Sequence, residues 1–229
     1  MIPAIKFCGI TRATDARHAA RLGAAFVGAI LTDSPRRVSP ERARAIYLAA
    51  GDGAEGVAVF RHESVDEMVR ATAQSAASIL QVHRPLGTDE LQDLRAAFEG
   101  EVWTVAGFSA DVESSLRALD SQPFGDGLLI DSSIGEKSGG TGRPIEWRAI
   151  ASKVEAARGA RRLIVAGGLT PLNVGAAIAA LRPDVVDVSS GVESAPGIKD
   201  PALMEQFALA VAAASVDLAS SQAPKVAHQ

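Results

Sequence analysis

Eight short apolar, β-branched runs recur along this chain, at 2–7, 25–31, 55–60, 78–83, 101–106, 127–132, 162–166 and 184–189. Each is followed by a stretch with helical spacing, at 14–22, 40–50, 64–76, 89–98, 112–119, 147–157, 171–181 and 201–213. No other feature limits the fold so strongly. Strands separated by helices pair in parallel, because each helix carries the chain back to the same end of the sheet. Eight such units close on themselves and remove both sheet edges. A doubly wound open sheet competes with this arrangement, but it would leave a pair of weaker, more polar edge strands, and no such pair is found. The expected fold is therefore an α/β, single-domain (β/α)8 barrel over residues 1–214. The final stretch, 215–229, "SVDLASSQAPKVAHQ", is expected to be a frayed or disordered tail.

A chain of 229 residues is long enough to close one such barrel around one core, and no linker or low-complexity segment interrupts it. With 47% hydrophobic residues, 22% charged residues and a formal charge of −4, it offers no basic face for nucleic acid. The start, MIPAIKFCGI, is too short in apolar residues and too early in lysine to be a signal peptide. No apolar run reaches the length of a membrane span. A single cysteine, Cys8, rules out an intrachain disulfide framework and a cysteine-rich zinc site. A soluble, cytoplasmic protein is expected, without membrane or nucleic-acid partners.

In a barrel of this kind the chemistry sits where strands end and βα-loops begin. The strand ends here read Lys6-Phe7-Cys8, Gln81-Val82-His83, Ile130-Asp131-Ser132 and Asp187-Val188-Ser189. The twofold period of a strand puts Lys6 with Cys8, Gln81 with His83, Leu129 with Asp131, and Asp187 with Ser189 on common faces. Glycine clusters follow the last three runs: "SGGTGRP" with Gly139 and Gly140, "AGGLTPLN" with Gly167 and Gly168, and "SSGVESAPG" with Ser190 and Gly191. Glycines there let backbone N–H groups approach an anion, and the loops after strands 7 and 8 are a frequent phosphate site in this fold. A phosphate-binding rim is expected, although such glycines also serve simply as αL turns. Neither GxxxxGK[ST] nor GxGxxG after a strand occurs, so no nucleotide cofactor is indicated. Taken alone, Cys8 reads more readily as a small buried hydrophobe than as a reagent.

The blocks "KFCGITRATDA", "GAAFVGAILTDSPRRVSPERA", "LQVH", "LLIDSSIGEKSGGTGRPIEW", "LIVAGGLTPLNV" and "VDVSSGVESAPGIKDPALMEQF" together resemble the phosphoribosylanthranilate isomerases of tryptophan biosynthesis. The blocks run in order from residue 5 to about residue 207. The resemblance implies a (β/α)8 barrel that works without cofactor or metal, as a monomer or homodimer. It also implies a reaction: the Amadori rearrangement of N-(5-phosphoribosyl)anthranilate, an aminoaldose, to 1-(2-carboxyphenylamino)-1-deoxyribulose 5-phosphate, an aminoketose. By the same resemblance Cys8 is the general base, Asp131 the general acid, and Arg36 the partner of the anthranilate carboxylate. His83 is either a substrate contact or an ordinary mouth residue. A base at Cys8 requires a site that favours thiolate, for instance through Lys6. Lys6 and Asp187 are expected to pair inside the barrel, chiefly as structure.

The chain departs from the family pattern after "QVH", where Arg84-Pro85 replaces the usual glycine and acidic residue, and at "AGFSADVES", which matches no motif. Two rival functions are weighed against the isomerase. The histidine-pathway phosphoribosyl isomerase performs the same rearrangement but carries aspartate at the first strand end, where this chain has Cys8. A catalytically silent phosphosugar-binding barrel would keep the glycine loops and let the acid and base drift, yet Cys8 and Asp131 are both present.

Overall fold

The eight apolar runs become eight parallel strands: β1 (Ala4–Phe7), β2 (Phe26–Ile30), β3 (Glu55–Phe60), β4 (Ile79–Val82), β5 (Glu101–Gly107), β6 (Gly127–Asp131), β7 (Arg162–Ala166) and β8 (Val185–Val188). In the computed structural model, which describes residues 2–107, 112–131 and 147–221, they form a closed barrel in chain order. Closure is made by β1 on β8, with four paired residues from Ala4 opposite Val185 to Phe7 opposite Val188. The helices are α1 (Ala13–Arg21), α2 (Pro40–Ala50), α3 (Val65–Ser75), α4 (Thr88–Ala97), α5 (Val112–Ser121), α6 (Trp147–Arg158), α7 (Val174–Leu181) and α8 (Pro201–Ser221). A 3-10 turn at Ser190–Val192 and a small antiparallel hairpin, β9 (Glu193–Ala195) with β10 (Ile198–Lys199), lie between β8 and α8. No helix among the described residues is long and apolar enough to cross a membrane.

Local sequence explains most of these boundaries. Ser39 caps α2 by accepting the Arg42 N–H, and Pro40 sits at the first helical position, where its missing N–H costs nothing. Ser64 and Glu67 form a reciprocal capping box at the start of α3. The helical spacing from 171 is realised only from Val174. The Asn173 side chain instead accepts the Thr170 N–H at 2.7 Å and donates to the Gly168 carbonyl at 2.9 Å, which builds a turn. Past residue 214, where the sequence reading ended the barrel domain, α8 continues to Ser221.

The strand period divides the core into two. Outward residues such as Phe7, Val27 and Leu128 pack against Ile46, Met68 and Phe207 of the helices, while Phe26, Val57, Trp103, Leu129 and Ile164 fill the barrel interior. Each large side chain so buried contributes about 1.5–3 kcal/mol by its removal from water. The interior has a floor and a mouth. At the N-terminal end of the strands Arg162 lies over the Phe26 and Trp103 rings, 5.4 and 5.7 Å from their centroids, and meets Glu101 at 3.1 Å. One step higher, Lys6 and Asp187 form a buried ion pair at 2.6 Å. Above that pair the barrel opens.

Candidate active site

At the C-terminal ends of the strands lies a cavity of about 390 Å3. Cys8, Gln81, His83, Asp131, Asp187 and Ser189 all line it, each from the face that strand alternation turns inward. Arg36, from the loop between β2 and α2, completes one side. The neighbouring Arg37 instead faces a groove on the outside of the barrel near Glu63 and Glu67. The loops after β7 and β8 bring Gly167, Gly168, Ser190 and Gly191 to the rim. Gly167 and Gly168 both hold positive φ, at 86° and 63°, and a Cβ on Gly191 would meet the Leu169 carbonyl oxygen at 1.8 Å. These turns therefore demand glycine for their backbone path. Gly139 and Gly140, expected from sequence to join them, lie outside the described residues.

The carboxylate of Asp131 is buried, with its Oδ2 3.3 Å from His83 Nε2. His83 is thereby tied to the candidate acid at the mouth of the cavity. Just past the end of β1, Cys8 is nearly enclosed. Gly28 of β2 makes room for it: a Cβ there would stand 2.9 Å from Cys8 Sγ and 3.2 Å from Lys6 Cε. Burial is the largest influence on the Cys8 thiol and raises its pKa above the ordinary value. Lys6 and Lys199 pull it down and Asp187 pushes it up. The expectation of a thiolate-favouring site is thus corrected, since Lys6 is already neutralised by Asp187 and does not outweigh desolvation. For Lys6 itself, burial works toward a lower pKa, but the attractions of Asp187 and Cys8 prevail and raise it.

Two buried polar atoms, Gln81 Oε1 and Asp187 Oδ1, lack a hydrogen-bond partner among the described residues, and both residues line this cavity. Unpaired buried acceptors are costly, so their gathering at one cavity marks a surface built to meet a polar molecule. Sequence reasoning also missed Glu193 and Lys199. Arg36 donates from Nε at 2.8 and 3.1 Å and from Nη2 at 2.7 Å to the Glu193 carboxylate, and Lys199 Nζ donates to the same carboxylate at 2.7 Å. The available signal was a Pro196-Gly197 turn flanked by opposite charges in "ESAPGIK", which describes a hairpin carrying an ion pair. Among the described residues no group of three or more His, Cys, Asp or Glu is placed to hold a metal ion.

A family model described as N-(5′-phosphoribosyl)anthranilate (PRA) isomerase matches residues 5–210. An N-(5′-phosphoribosyl)anthranilate isomerase of Rubrobacter xylanophilus is 37% identical over 204 residues, which span 89% of this chain and 96% of that protein. The enzyme of the same name from Haloferax volcanii is 36% identical, spanning 90% of this chain and 91% of its own. Among solved structures, phosphoribosyl anthranilate isomerase from Thermotoga maritima superposes with a TM-score of 0.81 at 30% identity, covering 92% of this chain and 99% of that one. A phosphoribosyl anthranilate isomerase in complex with reduced 1-(o-carboxyphenylamino)-1-deoxyribulose 5-phosphate superposes with a TM-score of 0.78 at 29% identity, with the same coverage.

Proposed function

Because the chain belongs to the N-(5′-phosphoribosyl)anthranilate isomerase family, we propose that it catalyses the rearrangement of phosphoribosylanthranilate to the aminoketose, with Asp131 as acid and Cys8 as base. One observation carries this reading: Cys8 and Asp131 line the same cavity, together with an arginine and the glycine turns after β7 and β8. The substrate is a small phosphorylated sugar joined to an aromatic carboxylate, and each part has a complementary wall. The phosphate belongs at the Gly167-Gly168 and Ser190-Gly191 turns, whose glycines let backbone approach an anion closely at the cavity rim. The carboxylate belongs at Arg36, whose planar guanidinium suits it.

The ribose then lies between acid and base. Asp131 protonates the ring oxygen, the C1–O bond breaks, and the nitrogen lone pair forms the iminium. Cys8 thiolate removes the C2 proton, giving an enolamine that tautomerises to the ketone. The thiol must lose its own proton first, and Lys6 is the adjacent cation that favours this. His83 holds the Asp131 carboxylate from the cavity side. The reaction consists of proton transfers alone and needs no electron acceptor, so an acid and a base suffice for it.

The test is direct. Freshly prepared phosphoribosylanthranilate should lose its anthranilate fluorescence on addition of the protein. Cys8→Ser and Asp131→Asn should each lower turnover by about 10²–10⁴, the usual contribution of a positioned acid or base, while inorganic phosphate still competes. Full activity in either variant would remove that residue from the mechanism. Binding without turnover by the unaltered protein would favour the silent barrel.

A further inference from the structure

Arg36 is the group that the proposed function sets against the substrate's carboxylate, and the structure already gives it one. Glu193, its side chain 4% exposed, occupies the Nε and Nη2 edge of the guanidinium, and Nη1 makes none of these three bonds. The stem of Arg36 is fixed as well. It packs over Gly9, where a Cβ would stand 2.7 Å from Arg36 Cδ, so the guanidinium has little freedom beside Cys8. A lone Glu193 would solve the problem of aiming Arg36 and create another, because one carboxylate cancels one guanidinium. An anion entering the cavity would then meet a neutral pair.

Lys199 changes that balance. Its side chain is fully buried, and Nζ donates to Glu193 Oε1 at 2.7 Å and to the Ser189 carbonyl at 3.0 Å. Two cations flank one anion, leaving one net positive charge at the cavity wall. The backbone of Lys199 is held from the other end of the chain. Its N–H donates to Asp15 at 3.3 Å and its carbonyl accepts from Arg12 at 3.1 Å, while Thr11 Oγ1 donates to the Gly197 carbonyl at 2.5 Å. The hairpin β9–β10 is thus an arm, clamped by the segment after β1, that delivers both Glu193 and Lys199 to Arg36.

Resting on the assignment of Arg36 to the substrate carboxylate, we infer that Lys199 is a positioning residue for carboxylate specificity: it compensates Glu193, so that Arg36 is held rigidly and still presents positive charge to the cavity. The experiment compares two ligands by calorimetry, reduced 1-(o-carboxyphenylamino)-1-deoxyribulose 5-phosphate and its anilino counterpart lacking the carboxylate. The unaltered protein should prefer the first. Lys199→Met should shrink that preference about tenfold, as expected when one partner of a buried charge network is removed, and should leave the affinity for inorganic phosphate unchanged. Lys199→Arg should keep the preference. The double variant Glu193→Gln/Lys199→Met again leaves one positive charge, and should recover the preference to within about threefold of the unaltered protein by the same charge balance.

A structural role for Lys199 predicts no recovery in the double variant, and that result, or an undiminished preference in Lys199→Met, overturns the inference. Should Lys199→Met not fold, the double variant, whose one remaining charge is the partly exposed Arg36, decides alone against the unaltered protein. An unaltered protein that binds both ligands equally would instead refute the assignment of Arg36.

Discussion

At the residue scale the decisive group is Cys8, because its environment runs against the simplest account of a cysteine base. Most thiol bases are pictured beside an uncompensated cation. Here Lys6 is spoken for by Asp187 at 2.6 Å, and burial leaves the thiol titrating above its ordinary value. Since Cys8 is the only cysteine, its chemistry can be followed without interference. Alkylation by iodoacetamide should be slow at neutral pH and should rise about tenfold per pH unit through pH 9, following the thiolate fraction. The reduced product analogue should protect it. Lys6→Met should slow alkylation further at every pH, because the largest nearby force favouring thiolate is gone. A plateau reached below pH 8 would contradict the direction assigned to this thiol and restore the thiolate-favouring site that the sequence led us to expect.

At the scale of elements, strand β2 carries an argument through what it lacks. Gly28 faces the interior with a backbone conformation open to any residue, so its absent side chain serves neighbours rather than φ. Gly28→Ala should fold, with a loss of about 1–3 kcal/mol for the crowded methyl. Turnover should fall by at least about tenfold, as Cys8 Sγ is displaced from the reacting carbon. Unchanged turnover in a folded Gly28→Ala protein would mean that the sulfur does not work from its observed position. Elements with strong local signals were legible in advance: α2 starts at Pro40 behind the Ser39 cap, and the β-branched runs at 55–60 and 162–166 match β3 and β7 end to end. The start of α7 was not, because the Asn173 side chain competes for the same backbone groups that a helix would use. The hairpin β9–β10 is too short for a periodic signal, with strands of three and two residues. Its contribution to the site arises from contacts across 157 positions of sequence, from Arg36 to Glu193, which no local pattern encodes. That Cys8 and Asp131 reach the cavity was legible because a strand end in a barrel has only one face toward the mouth, whereas Arg36, in the loop between β2 and α2, was reached only through the family resemblance.

For the whole molecule, the buried titrating groups fix how stability depends on pH. Three of them hold their protons more tightly in the folded protein than in the unfolded chain. Burial raises Cys8; the attraction of Asp187, against burial, raises Lys6; and burial raises Tyr47, whose hydroxyl donates to the Val57 carbonyl at 2.9 Å. A group with a raised folded pKa contributes stability that is complete below its unfolded pKa and is lost as pH climbs toward the folded one. Each therefore begins to cost stability where the unfolded chain starts to release its proton, near pH 8.5 for cysteine and near pH 10 for tyrosine and lysine. Lys199 works the other way, since its pKa is lowered chiefly by burial, and it offsets one of the three over part of that range. The balance still leaves a descending limb. Denaturant midpoints measured from pH 7 to 11 should fall above about pH 9, with each unopposed group adding roughly 1.4 kcal/mol per pH unit to the slope. Cys8→Ala should remove the part of that limb that begins lowest, and Tyr47→Phe should flatten the part above pH 10 while lowering stability at neutral pH, because the Val57 carbonyl loses its donor. A midpoint constant to pH 11 would show that the buried pair, the thiol and the phenol exchange protons as freely in the barrel as in the open chain, and so are not enclosed together as the structure has them.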